Sequence, residues 1–122
     1  ELAVSGPFHS SMLKPAAEKL AARLAEVVVR APRIPVIANV DAAPHGDPEA
    51  IRRALALQVA SPVQWVKTIR AMADQGVTDV VECGPGKVLQ GLIRRIAPEI
   101  RCTGFSDEAT LAAALEKIRA AE

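Results

Sequence analysis

Apolar strand-like segments alternating with amphipathic helical ones predict an α/β fold, a parallel sheet covered by helices on both faces. Three observations carry that expectation. Ile34 to Val40 is apolar on both faces, as buried parallel strands are, and Val77 to Cys83 reads as the clearest strand. Asp47-Pro48-Glu49 opens a helix between them, with a cap, a proline at the first helical position and an acid on the positive end of the dipole. Gly84-Pro85-Gly86 then turns the second strand straight into another helix.

Taken in order, Leu2-Ala3-Val4 reads as a short strand and Ser5-Gly6-Pro7 as the turn after it. Ser10 or Ser11 offers an N-cap, and Pro15 falls where the first helical turn tolerates proline. Leu13, Ala17, Leu20, Leu24 and Val27 recur at helical spacing, so one face is inward, and the helix is expected to end near Arg30, ahead of Pro32. The strand Ile34 to Val40 is followed by a loop over Asp41 to Gly46, and the Asp47 helix runs to about Val59. Ser61-Pro62-Val63-Gln64 has the spacing of a capping box, and Trp65, Ile69 and Met72 form the buried stripe of the helix it opens. Gly76 is placed to end that helix. After Val77 to Cys83 comes a helix from about Lys87 to Ile96, stopped by Pro98, then a strand from Ile100 to Phe105. Asp107 caps a last helix, with Leu111, Leu115 and Ile118 inward.

At 122 residues the chain is one domain's worth, half of it hydrophobic. Aromatics make up 2%, so Ala, Val, Leu and Ile carry the packing. A net charge of +1 with mixed acids and bases gives no footprint for nucleic acid, and stacking platforms are scarce. Cys83 and Cys102 form no CxxC pair, and two partly buried thiols in a reducing cytosol are expected. No apolar run nears the roughly 18 residues of a membrane span, so no membrane partner and a cytoplasmic location are expected. The start at Glu1-Leu2-Ala3-Val4, without methionine and inside a strand-like segment, predicts a fragment, a processed chain or a trimmed one.

Chemistry could reside in two places. Glu82-Cys83-Gly84-Pro85-Gly86-Lys87 follows a strand and opens a helix, a geometry that often binds anions. It is no Walker A loop, because Val81 stands at the first glycine position and Val88 where Ser or Thr would hold magnesium. A tight turn that needs glycine dihedrals is the plainer reading. His9, between the Gly-Pro turn and a helix start, is a candidate general base, yet Ser10 and Ser11 are better placed as caps than as nucleophiles and no GxSxG elbow occurs. His45, beside Asp47, reads as solvated. No metal-ligand or two-carboxylate spacing is visible.

Three segments, in order, resemble malonyl-CoA:acyl-carrier-protein transacylase, and specifically its C-terminal part. They are Gly6-Pro7-Phe8-His9-Ser10-Ser11-Met12-Leu13-Lys14-Pro15-Ala16, Gln58-Val59-Ala60-Ser61-Pro62-Val63-Gln64-Trp65, and Glu82-Cys83-Gly84-Pro85-Gly86-Lys87-Val88-Leu89-Gln90-Gly91-Leu92. Asn39-Val40-Asp41 sits between the first two as the family has it. Met12-Leu13 reverses the family's more usual order, a volume-conserving exchange.

The resemblance implies that residues 1–122 are the C-terminal part of an α/β-hydrolase-like acyltransferase core, with residues 1–4 as the last strand of the family's small ferredoxin-like subdomain. The implied reaction is malonyl transfer from CoA to the phosphopantetheine thiol of acyl carrier protein through a serine–histidine dyad. His9 matches the catalytic histidine, and the backbone carbonyl of Gln58 matches the group that orients it. Phe8 implies selection of malonyl over methylmalonyl units, and Val88 an apolar pocket lining. The serine, the malonyl-binding arginine and the oxyanion donors belong to the family's N-terminal portion, so that missing part of the enzyme is itself an expected partner, beside acyl carrier protein and malonyl-CoA. No cofactor or metal is implied, since malonyl-CoA and phosphopantetheine are substrate moieties. The alternative is a non-catalytic carrier-protein docking or scaffold module of the same fold, in which Lys87, Arg94, Arg95 and Arg101 would form a basic patch.

Overall fold

The computed structural model describes residues 5–120, so the strand expected over Leu2 to Val4 lies outside the described residues. These residues form two units, one ending at Thr68 and the other beginning at Ile69.

In the first unit a single 3-10 turn, Ser11–Leu13, leads into α1, Lys14–Ala25. Neither expected serine caps it: the Ser10 hydroxyl donates instead to the Pro7 carbonyl, 2.7 Å away. Leu13, Ala17, Leu20 and Leu24 form a half-buried stripe, whereas Val27 lies beyond the helix and is exposed. α1 stops at Ala25, short of Arg30, for two physical reasons. The run Val27-Val28-Val29 is β-branched and resists helix, and Arg52 takes the loosened carbonyls, its Nε donating to Leu24 O at 3.0 Å and its Nη2 to Val27 O at 2.7 Å. Arg52 belongs to α2, Pro48–Leu57, where Asp47 accepts from the Ala50 N–H at 2.7 Å as the expected cap. A 3-10 turn, Gln58–Ala60, ends that helix.

The segment Ile34 to Val40 is not a strand. It forms one antiparallel bridge, Ile37 to Pro44, and folds back on its own loop: Ala38 N–H donates to Ala43 O, Ala42 N–H to Ala38 O, and His45 N–H to Val36 O. Its apolar pattern suits a buried strand, but Pro35 lacks a ladder donor and the Asp41–Gly46 turn offers closer backbone partners.

α3, Trp65–Asp74, crosses the division between the units. The capping box expected at Ser61–Gln64 is not formed, because the Gln64 N–H donates to Asn39 O at 2.7 Å. At its other end Gly76, with φ +83°, closes a Schellman motif in which Val77 N–H reaches Met72 O and Gly76 N–H reaches Ala73 O.

The second unit carries a parallel pair, β1 (Asp79–Cys83) and β2 (Arg101–Phe105), in register from Asp79 opposite Arg101 to Cys83 opposite Phe105. α4, Val88–Ile96, makes the crossover, and α5, Glu108–Arg119, follows β2. Both helices pack on β2, which gives the expected α/β arrangement around a small parallel sheet. Ile69, Ile93, Ala97, Ile100 and Ala114 are its buried apolar residues, each isoleucine worth about 1.5–3 kcal/mol of burial. Asp107 and Thr110 form a reciprocal capping box at the start of α5. Ala114, flanked by the half-buried Leu111 and Ile118, takes the inner position, while Leu115 is largely exposed.

Candidate functional site

His9 sits in a turn between Pro7 and the 3-10 turn at Ser11, with φ +55°. Few side chains hold that left-handed conformation, histidine being among those enriched there, and such strain is characteristically kept at functional positions. The ring is tied down from the side facing α2. His9 Nδ1 lies 2.9 Å from the Gln58 carbonyl oxygen. A carbonyl can only accept, so Nδ1 carries the proton and, in the neutral ring, Nε2 keeps the lone pair.

The carbonyl is available for a structural reason. Gln58 stands at the C-terminal end of α2, where helix carbonyls lose their intrahelical donors. The Gln58 oxygen also accepts from Ser61 N–H at 3.4 Å, and His9 supplies the shorter of its two bonds. The helix end brings partial negative charge to the same spot. Gln58's side chain is engaged as well, since its Oε1 accepts from Asn39 Nδ2 at 3.4 Å.

Phe8, adjacent to the strained residue, is exposed, and its ring folds over Gly6, where a β-carbon would come within 3.2 Å of the ring. His9, Gln58 and Phe8 all belong to the first unit. Val88 lies in the second, at the first position of α4, and is 71% exposed. His45 is not simply solvated. It is partly buried, and its Nε2 lies 3.0 Å from Asp41 Oδ2. The Ala43 N–H, with His45 behind it, holds the Asp41 carboxyl below its ordinary range.

The glycine-rich turn carries a feature that spacing does not reveal. Glu82, at the end of β1, turns its carboxylate onto the start of α4, accepting from Leu89 N–H at 3.1 Å and Gln90 N–H at 3.2 Å. The helix N-terminus that could bind an external anion is therefore filled by the chain's own acid. Gly84 (φ +131°) and Gly86 (φ +97°) take the backbone through conformations closed to other residues. Of the basic residues considered for a patch, Arg101 is committed to Asp79 through two bonds, Nε to Oδ1 at 2.7 Å and Nη2 to Oδ2 at 2.6 Å.

Cys83 is exposed rather than partly buried, and Cys102 is half-buried. Burial pushes the Cys102 thiol up, with Glu82 adding to the effect and Arg94 opposing it. Among the described residues no three His, Cys, Asp or Glu side chains converge as a metal site, and no helix is long and apolar enough to cross a membrane.

No protein-family model matches the chain. Among curated proteins it is 46% identical over 115 residues to a malonyl CoA-acyl carrier protein transacylase from Escherichia coli, covering 94% of this chain and 37% of that protein. The Bacillus subtilis transacylase of the same name is 38% identical over 118 residues, again 37% of its length. Among solved structures, an acyl-carrier-protein S-malonyltransferase from Burkholderia pseudomallei is 51% identical with a TM-score of 0.88, over 94% of this chain and 38% of that one. A malonyl-transacylase solved in complex with its type II PKS acyl-carrier protein is 43% identical with a TM-score of 0.89, over 95% of this chain and 38% of the matched one. The chain thus spans little more than a third of the length of the relatives it matches. In sequence and in fold it is similar to part of the malonyl CoA-acyl carrier protein transacylases, the family that its three motifs resemble.

Proposed function

We propose that this chain supplies the histidine half of a serine–histidine dyad that transfers malonyl from CoA to acyl carrier protein, with His9 as the acid–base group. The observation that carries the reading is the 2.9 Å bond from His9 Nδ1 to the Gln58 carbonyl, made by a strained, exposed residue in a segment like that of named transacylases.

The chemistry follows from the tautomer. Nε2 takes the proton of the serine hydroxyl as its oxygen attacks the malonyl thioester carbonyl, and returns it to the sulfur of departing CoA. In the second half-reaction Nε2 takes the proton of the phosphopantetheine thiol, whose sulfur attacks the malonyl-serine ester, and hands it to the serine oxygen. Throughout, the carbonyl holds Nδ1–H and so the ring, as a carboxylate does in a triad but without a full charge. Phe8, next to His9 in the chain, would limit room at the substrate α-carbon and favour malonyl over branched units. Val88 would add apolar lining.

The partners of this reading are malonyl-CoA, acyl carrier protein and the serine-bearing remainder of the enzyme, since these 122 residues hold no serine elbow. Mixing the chain with that remainder and following malonyl transfer tests the reading. Transfer should require both pieces, and His9→Ala should lower it about 10²- to 10⁴-fold. Transfer by the chain alone, or full transfer by His9→Ala, would sink the proposal.

A further inference from the structure

The corner that follows α2 is held at both its ends, Gln58 and Gln64, by one residue of the loop where a strand was expected. Asn39 donates from Nδ2 to Gln58 Oε1 at 3.4 Å, and its main-chain oxygen accepts from Gln64 N–H at 2.7 Å. One residue thus spans the turn from Gln58 to Gln64, in which the Gln58 carbonyl meets His9 Nδ1. The Asn39–Gln58 amide link is itself part-buried, and so partly screened from competing water.

We infer that Asn39 is a positioning residue: through the Gln58 side chain and the Gln64 N–H it fixes the carbonyl that sets the tautomer of His9. The inference rests on the proposed role of His9 for its catalytic meaning, but the tautomer itself does not. The asparagine loop reaches this corner because it closes on itself. The Ile37–Pro44 bridge and the Ala38–Ala43 and Ala38–Ala42 bonds fold residues 37–44 into a tight loop that presents Asn39 to the 58–64 corner. A straight strand over the same residues would pair its backbone with neighbouring strands and leave Gln64 N–H without this acceptor.

The test reads the His9 ring nitrogens by ¹⁵N NMR in the chain labelled at histidine. Unsubstituted, the neutral ring should be mostly Nδ1-protonated. Asn39→Ala keeps the main-chain bond to Gln64 and removes only the amide link, and it should lower the Nδ1–H to Nε2–H ratio about threefold, the scale of a modest hydrogen bond. Gln58→Met, close in shape but without the acceptor oxygen, should give the same shift. The double variant should be no worse than either single one, because both break one link. Gln58→Glu, which keeps an acceptor for Asn39, should restore the ratio. An unchanged ratio in Asn39→Ala or in Gln58→Met overturns the inference, as does simple addition of the two effects. Because Gln58→Met leaves residue 39 in place, the inference can be overturned whether or not Asn39→Ala folds. In the reconstituted enzyme the same variants should lower kcat modestly while KM holds. A shifted tautomer together with full transfer by His9→Ala would leave the positioning standing and overturn the proposed role of His9 instead.

Discussion

Removing the Glu82 carboxylate strikes the start of α4 and nothing else that the residue touches by hydrogen bond. In Glu82→Ala the N–H groups of Leu89 and Gln90 lose acceptors at 3.1 and 3.2 Å. Bonds to a charged acceptor contribute about 1.5–3 kcal/mol when shielded, whereas exposed helix caps contribute about 0.5–2 kcal/mol. Glu82 is half-buried, Leu89 is exposed and Gln90 is buried, so the pair falls where the two ranges overlap. A loss of about 2 kcal/mol is expected for the pair, with the helix dipole included. Amide hydrogen exchange reads this locally: at about 1.4 kcal/mol per tenfold, amides of α4 should exchange roughly 30-fold faster. Glu82→Gln keeps one acceptor oxygen and should fall about midway. The Ala variant should also gain more from added sulfate than the unsubstituted chain, since an anion can then occupy the vacated helix start. Exchange of α4 within about threefold of the unsubstituted chain, a loss under about 0.7 kcal/mol, would contradict this role of Glu82.

Gly104→Ala should destabilise the second unit by about 1–3 kcal/mol, measured by urea unfolding, because its β-carbon would lie 3.3 Å from the Glu82 carbonyl oxygen and overlap the side-chain amide of buried Gln90. Acid should unfold the chain partly through Asp79 and Asp107. The Arg101 guanidinium holds the first carboxyl below its ordinary value of 3.8, and the Thr110 hydroxyl and N–H hold the second below it. Both contributions are then complete above that value and fade as pH falls through the lower folded values. Asp79→Asn and Asp107→Asn should flatten the stability profile below about pH 4. Profiles as steep as that of the unsubstituted chain would count against this.

Local chemistry was legible where it acts through neighbours in sequence. Asp47 and Asp107 cap the helices their side chains can reach within three residues, and Gly76 supplies the one conformation that ends α3. The parallel pair β1–β2 was legible too, since two apolar strands joined by a helix have few other solutions. What failed depended on which partners the backbone finds, near or far in the chain. Ile34 to Val40 has a strand's composition, but its hydrogen bonds go to its own loop and, through Asn39, to Gln64. The Ser61–Gln64 box has the right spacing, yet the same Asn39 oxygen claims the N–H that a cap would need. α1 ends where Arg52, 28 residues on from Leu24, reaches its carbonyls. At the candidate site the family motifs named His9, Phe8, Gln58 and Val88. Neither the positive φ of His9 nor the Glu82 carboxylate over α4 has a signature in spacing, because each is a matter of where the backbone turns.

Malonyl transfer to acyl carrier protein, measured with the chain and the proposed serine-bearing remainder together, is the direct test of the proposed role of His9. The expected result is no transfer from the chain alone, transfer when the pieces are combined, and a loss of about 10²- to 10⁴-fold on His9→Ala in the combined enzyme. Combined enzyme carrying His9→Ala that transfers malonyl within a few-fold of the unsubstituted rate would contradict it.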